Sequence, residues 1–90
     1  MIFLWDDRKA GANEKKHGVT FQEASTVFGD PLAVSFDDPD HSESEERIIT
    51  FGRSLTGRLL VIAHTGVAET VRLISARMMT NTERKIYEEG

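Results

Sequence analysis

Three runs of strand length follow one another in the second half of the chain: Arg47–Arg53 (RIITFGR), Arg58–Thr65 (RLLVIAHT) and Thr70–Arg77 (TVRLISAR). Each is rich in β-branched residues. The connections between them, Ser54–Gly57 and Gly66–Glu69, have hairpin length and contain glycine. The runs therefore specify an antiparallel three-stranded meander, and the rest of the chain has to be fitted around it. Side chains alternate between the two faces of a strand. Leu60, Ile62 and His64 thus share a face with Arg58, and Arg47 shares one with Arg53. In the third run strict alternation puts Arg72, Ile74 and Ala76 on one face and Val71, Leu73, Ser75 and Arg77 on the other.

The first half reads as helices between short strands. Ile2–Trp5 is an apolar strand that extends the meander. Asp6 suits an N-cap and Asp7 the positive end of a helix dipole, which predicts a helix over Asp7–His17 closed by Gly18. Ala10 and Ala12 allow close packing of that helix. Thr20 followed by Glu23 has the spacing of a capping box, so a second helix should cover Phe21–Phe28, with Phe21, Ala24, Val27 and Phe28 facing a core. Gly29-Asp30-Pro31 stops it, and Leu32–Phe36 is a further short strand. Residues 37–46, DDPDHSESEE, form an exposed loop. A last helix runs over Thr80–Glu89, with Thr80 or Asn81 as cap and Ile86 as its strong apolar anchor. The order β-α-α-β-β-β-β-α describes one α+β domain, residues 1–90. Its helices should cover one sheet face and leave the other partly open.

Composition limits the function classes. With 39% hydrophobic and 29% charged residues the chain reads as a soluble globular protein. No apolar run approaches the ~20 residues of a membrane-spanning helix, and the start MIFLWDD has no basic n-region. A cytoplasmic location is the simplest reading. Without cysteine there are no disulfides, thiolate metal sites or thiol chemistry. The net charge of −4 is unevenly placed, with balances of +1 over residues 1–20, −7 over 21–50 and +2 over 51–90. The acidic block predicts a basic partner segment, and both ends remain able to form a basic surface. Asp37, Asp38, Asp40 and His41 do not have the spacing of a calcium loop, so a solvated loop is expected there and no metal or cofactor site.

No Ser-His-Asp order, phosphate-loop glycine pattern or HExxH is present. Lys9, Asn13, Lys16 and His17 recur at three or four residues and fall on one side of the first helix. Such a stripe is either an anion-binding edge or a solvated face. Arg47, Arg53 and Arg58, at strand ends, serve solubility and edge protection. Arg72, inside a strand, needs a partner or an open face. His64, inside an apolar strand, reads as a hydrogen-bonded core histidine.

The ordered combination of several short blocks resembles the BrnT family of toxins from bacterial type II toxin–antitoxin systems. These blocks are Trp5-Asp6, Lys9, Asn13, Lys16-His17-Gly18-Val19, Phe21, Glu23-Ala24, Phe28, Asp30-Pro31-Leu32, Glu46-Arg47, Gly52, Gly57–Val61, His64-Thr65, Arg72–Arg77, Thr80, Glu83-Arg84 and Tyr87-Glu88. The resemblance implies a RelE-like fold and a ribonuclease that arrests translation. It also implies a heteromeric complex with a BrnA-type antitoxin, which neutralises the toxin and through which operator DNA is bound. RNA, free or on the ribosome, would be cut without a metal.

Cleavage of that kind needs a base for the ribose 2′-hydroxyl, cations on the developing phosphorane and an acid for the 5′-oxygen. Arg72 and Arg77 suit the phosphorane, His17 the proton transfers, Lys16 a second cation and Glu46 or Glu83 a fallback base. Arg47, His64 and Tyr87 are candidates for holding RNA, Tyr87 by stacking or proton donation. Where relatives carry a further basic residue after Arg77, this chain has Met78-Met79, which either weakens phosphate affinity or offers the antitoxin an apolar surface. A catalytically weak or inactive antitoxin-binding module is the alternative function, and a small metal hydrolase built on residues 37–46 is a remote third.

Overall fold

A computed structural model of the protein describes residues 1–38, 46–67 and 69–90. Asp40 and His41, two of the four residues of the metal-site idea with Asp37 and Asp38, therefore lie outside the described residues, as does most of the acidic loop. The elements run β1 (Ile2–Leu4), α1 (Asp7–His17), α2 (Phe21–Ser25) continued by a 3₁₀ turn (Thr26–Gly29), β2 (Val34–Asp37), β3 (Ile48–Arg53), β4 (Leu59–Val67), β5 (Thr70–Met78) and α3 (Asn81–Glu89). This is the expected α+β order, with the arrangement of a RelE-like domain.

The sheet has five strands in the order β1-β5-β4-β3-β2. The meander β3-β4-β5 is antiparallel, β2 adds to it through β3, and β1 lies parallel to β5 at the opposite edge. β1 can be parallel because both helices intervene between it and the sheet, giving the chain room to cross over.

The caps explain where the helices begin and end. The Asp6 carboxylate accepts from the N–H groups of Arg8 and Lys9, and Gly18 ends α1 at φ 67°, a left-handed conformation in which a Cβ is strained. The Thr20 hydroxyl accepts from Glu23 N–H, but only half of the expected capping box forms. The Glu23 carboxylate is occupied elsewhere, by Arg58, Ser54 and Thr56. With its cap incomplete and Gly29 ahead, the second helix tightens after Ser25 into a 3₁₀ turn instead of staying α-helical to Phe28.

One face of the sheet carries α1 and α2. Its core is Val19, Phe21, Ala24, Val27, Leu60, Ile62, Val71, Leu73 and Ala76, all buried. Full burial of a side chain such as Phe21 contributes about 1.5–3 kcal/mol. The Trp5 ring meets it edge-on at 6.0 Å between centroids. Gly52 is needed where β3 passes beneath the 3₁₀ turn, since a Cβ there would come within 2.5 Å of Val27. On the other face a smaller cluster, Phe51, Val61, Met79 and Tyr87, sits under α3.

Strict alternation fails in β5. Ala63 pairs with Ser75 and His64 with Leu73, leaving Ile74 as the extra residue of a β-bulge. Val71, Leu73 and Ala76 consequently share the helix-covered face, while Arg72, Ser75 and Arg77 share the open one. The sequence reading, which separated Arg72 from Arg77, is corrected by that one residue.

Candidate active site

The open face is closed at one end by α3. Thr80 and Glu83 make a full capping box there, and Glu83 also receives Arg77 in a two-pronged ion pair, with N–O distances of 2.7 and 2.8 Å. Hydrogen bonding to Arg77 is the main reason the Glu83 carboxyl titrates at about 2, against the opposing effect of burial. Burial works against the Arg77 charge, but the Glu83 bond outweighs it and raises the guanidinium pKa. A carboxylate held this way orients Arg77 and is a poor proton acceptor at neutral pH.

Behind that pair, the Tyr87 hydroxyl donates to Asp30 at 2.6 Å. Asp30 also accepts from the N–H groups of Arg53 and Leu32. Burial alone would raise the Asp30 pKa, but these donors lower it; the bond to Asp30 in turn raises that of Tyr87. Tyr87 is 7% exposed and is the residue that anchors α3 to the sheet, whereas Ile86 is 44% exposed. Both expectations are corrected here: Ile86 is not the anchor, and Tyr87 presents no free ring for stacking. The spacing of Tyr87 after Glu83 on a helix was the signal, since it puts both on the sheet-facing side.

Two concavities flank α3. One, of about 430 Å³, lies on the open face among Phe36, Ile49, Phe51, Val61, Ala63 and Ile86, with Arg77 and Glu83 at its rim. The other, of about 400 Å³, lies at the sheet end where β3 stops, β4 starts and β5 turns into α3, and it receives Arg53, Arg58, Arg84 and Glu88. Helical periodicity divides α3 between them, with Glu83 and Ile86 on one side and Asn81, Arg84 and Glu88 on the other.

The remaining candidates separate by position. Lys16 is exposed and His17 half-buried at the C-terminus of α1. The next residue, Gly18, gives its carbonyl to Arg58 at 3.0 Å, which fastens that terminus to the same sheet end. Arg58 also pairs with Glu23, whose carboxyl is held at about 2 chiefly by this contact. Arg72 is exposed on the open face opposite Thr65, toward the other end of β5. Arg47 precedes β3 with open-face parity, and its carbonyl accepts from Asp38. His64 is not brought to this surface. It is 5% exposed on the helix-covered side, bonded through Nε2 to the Thr50 hydroxyl at 2.7 Å and edge-on to Phe28. That is the core histidine its apolar strand suggested.

In the stripe on α1, Lys9 and Lys16 are solvated but Asn13 is buried. Its amide donates to the carbonyls of Val19 and Ala76 and accepts from the Ala76 N–H, all at 2.9–3.0 Å. Among the described residues no three His, Asp or Glu side chains gather around a point where a metal could sit. Nor is any helix among them long and apolar enough to cross a membrane.

The sequence profile of a family described as "Ribonuclease toxin, BrnT, of type II toxin-antitoxin system" matches residues 5–83. The crystal structure of the Brucella abortus ribonuclease toxin BrnT superposes with a TM-score of 0.68, covering 90% of this chain and 100% of that one at 20% identity. That likeness bears on the fold, and no curated protein sequence matches the chain. Because the profile spans most of the sequence, from Trp5 beyond the Arg77–Glu83 pair, the chain belongs to the BrnT family of type II toxin–antitoxin toxins.

Proposed function

We propose that this toxin is a metal-independent endoribonuclease that inhibits translation in the cytoplasm and is neutralised by a BrnA-type antitoxin. The observation that carries the reading, beside family membership, is the presentation of Arg72 and Arg77 on one open sheet face. A base removes the ribose 2′-proton, the 2′-oxygen attacks phosphorus, and the bond to the 5′-oxygen breaks as an acid protonates it. The products are a 2′,3′-cyclic phosphate and a 5′-hydroxyl. Arg77 and Arg72 offset the charge of the phosphorane, with Lys16 as a further cation. His17 moves the protons, since an imidazole can both accept and donate one. Glu83 acts through Arg77 by holding its guanidinium in place.

The apolar concavity over Phe36, Ile49 and Val61 is the surface we assign to the antitoxin, since a hydrophobic patch of this kind is usually covered. One observation favours the rival reading of a binding module without cleavage: Glu83 already occupies both terminal nitrogens of Arg77. Growth of cells expressing the toxin separates the two. Wild-type chain should arrest growth and Arg77→Ala should not; an Arg77→Ala chain that remains fully toxic overturns the assignment.

A further inference from the structure

The cleft at the sheet end gathers what the sequence kept apart. Arg53 closes β3, Arg58 immediately precedes β4 and Arg84 lies on α3, yet all three line one concavity of about 400 Å³. Only Glu88 opposes them in its lining, so the cleft is cationic on a chain of net charge −4. Arg58 is committed to Glu23 and Gly18, and the charge of Arg53 acts on the Asp30–Tyr87 pair. Arg84 is exposed, and among the described residues no ion pair joins it to Glu88 or to any other carboxylate. Leu59 and Met78 give the cleft an apolar side, with Met78 45% exposed.

Guanidinium groups fork onto phosphate oxygens, and an apolar surface beside them accepts the face of a ribose or base. We propose that Arg53 and Arg84, beside a wall fixed by the Arg58–Glu23 pair, form a binding cleft for the phosphodiester backbone of single-stranded RNA, running past the end of α3. The inference rests on the ribonuclease reading and extends it, because it leads the substrate from the cleft toward Arg77. It also accounts for Met78-Met79: Met79 is buried beneath α3, and cations from β3 and α3 stand where the following position supplies none.

The test is binding of a fluorescein-labelled, 2′-O-methylated 15-nucleotide RNA, which cannot be cut through the 2′-oxygen. Intact protein is titrated across a range of salt concentrations. Arg53→Ala/Arg84→Ala should weaken binding at least tenfold at low salt and reduce the slope of log K against log[salt] by roughly 1.4, the value for two lost phosphate contacts. Arg84→Lys should recover part of the loss, and Lys15→Ala, on the exposed last turn of α1, should leave affinity within twofold. Circular dichroism at the assay temperature establishes that each variant is folded. Unchanged affinity and slope in the double variant, or an equal loss in Lys15→Ala, would overturn the cleft and leave the ribonuclease reading standing. A wild-type chain that neither binds this RNA nor cuts natural RNA overturns both.

Discussion

Arg72 and Arg77 are five residues apart on one strand and nevertheless point to the same face of the sheet. Their partners on β4 are Thr65 and Val61, four residues apart, so the extra residue of the Ile74 bulge is what reconciles the parity. At strand rise their backbones are about 13 Å apart. Bulges recur beside active sites because they re-aim a side chain without ending the pairing.

If both arginines act on the phosphorane, Arg72→Ala and Arg77→Ala should each lower kcat/KM for RNA cleavage by about 10²-fold or more. Stability should respond much less. The Arg77 side chain is 41% exposed, and a partly solvated ion pair contributes no more than about 1 kcal/mol. Single-turnover cleavage and thermal unfolding of the same preparations separate the two effects.

Asn13 is the polar residue whose loss should damage the fold most. Its replacement by alanine strips partners from the Val19 carbonyl and from both backbone groups of Ala76, in a buried site between α1 and β5. Urea denaturation should show Asn13→Ala destabilised by about 2–4 kcal/mol, because unsatisfied buried groups cost roughly 1–3 kcal/mol each and water can reach some of them. A change below half a kcal/mol would mean the three bonds contribute little.

Tyr87→Phe keeps the ring in the cluster under α3 and removes only the hydroxyl given to Asp30. A hydrogen bond to a charged group contributes about 1.5–3 kcal/mol, and a loss of that size is expected in the unfolding free energy. Selective loss of amide-exchange protection in α3 would locate the effect.

Acid should destabilise the protein in two stages. Burial lowers the His64 pKa below its ordinary 6.5. Stability tied to the neutral ring is therefore present above pH 6.5 and is lost as pH falls through the folded value. Glu23 and Glu83, lowered from 4.5 to about 2, add stability that is complete above pH 4.5 and lost as pH drops toward 2. Urea midpoints should decline below pH 6.5 and again below pH 4.5. In His64→Gln the upper decline should disappear and the lower one remain.

Most of the architecture was legible in local chemistry. Asp6, Gly18 and Thr80 mark helix ends through capping, and the glycine-bearing connections set the meander. The bulge was not legible, because Ile74 is as apolar as the strand around it and alternation has no way to mark an inserted residue. Asn13 looked like part of a polar stripe since its partners are backbone groups, two of them 63 residues away at Ala76. Glu23 read as half of a capping box for the same reason: its competing partner, Arg58, lies 35 residues on. The arginine cleft joins three elements through tertiary packing alone, so strand-end arginines looked like edge protection until the sheet end closed around them.

RNA cleavage through the toxin's own side chains is open to direct measurement. Purified protein incubated with RNA in EDTA, with and without ribosomes, tests it most directly. Fragments ending in 2′,3′-cyclic phosphate should persist in the chelator and vanish in Arg77→Ala. Intact RNA under every condition, or cleavage abolished by EDTA and restored by a divalent cation, would contradict it.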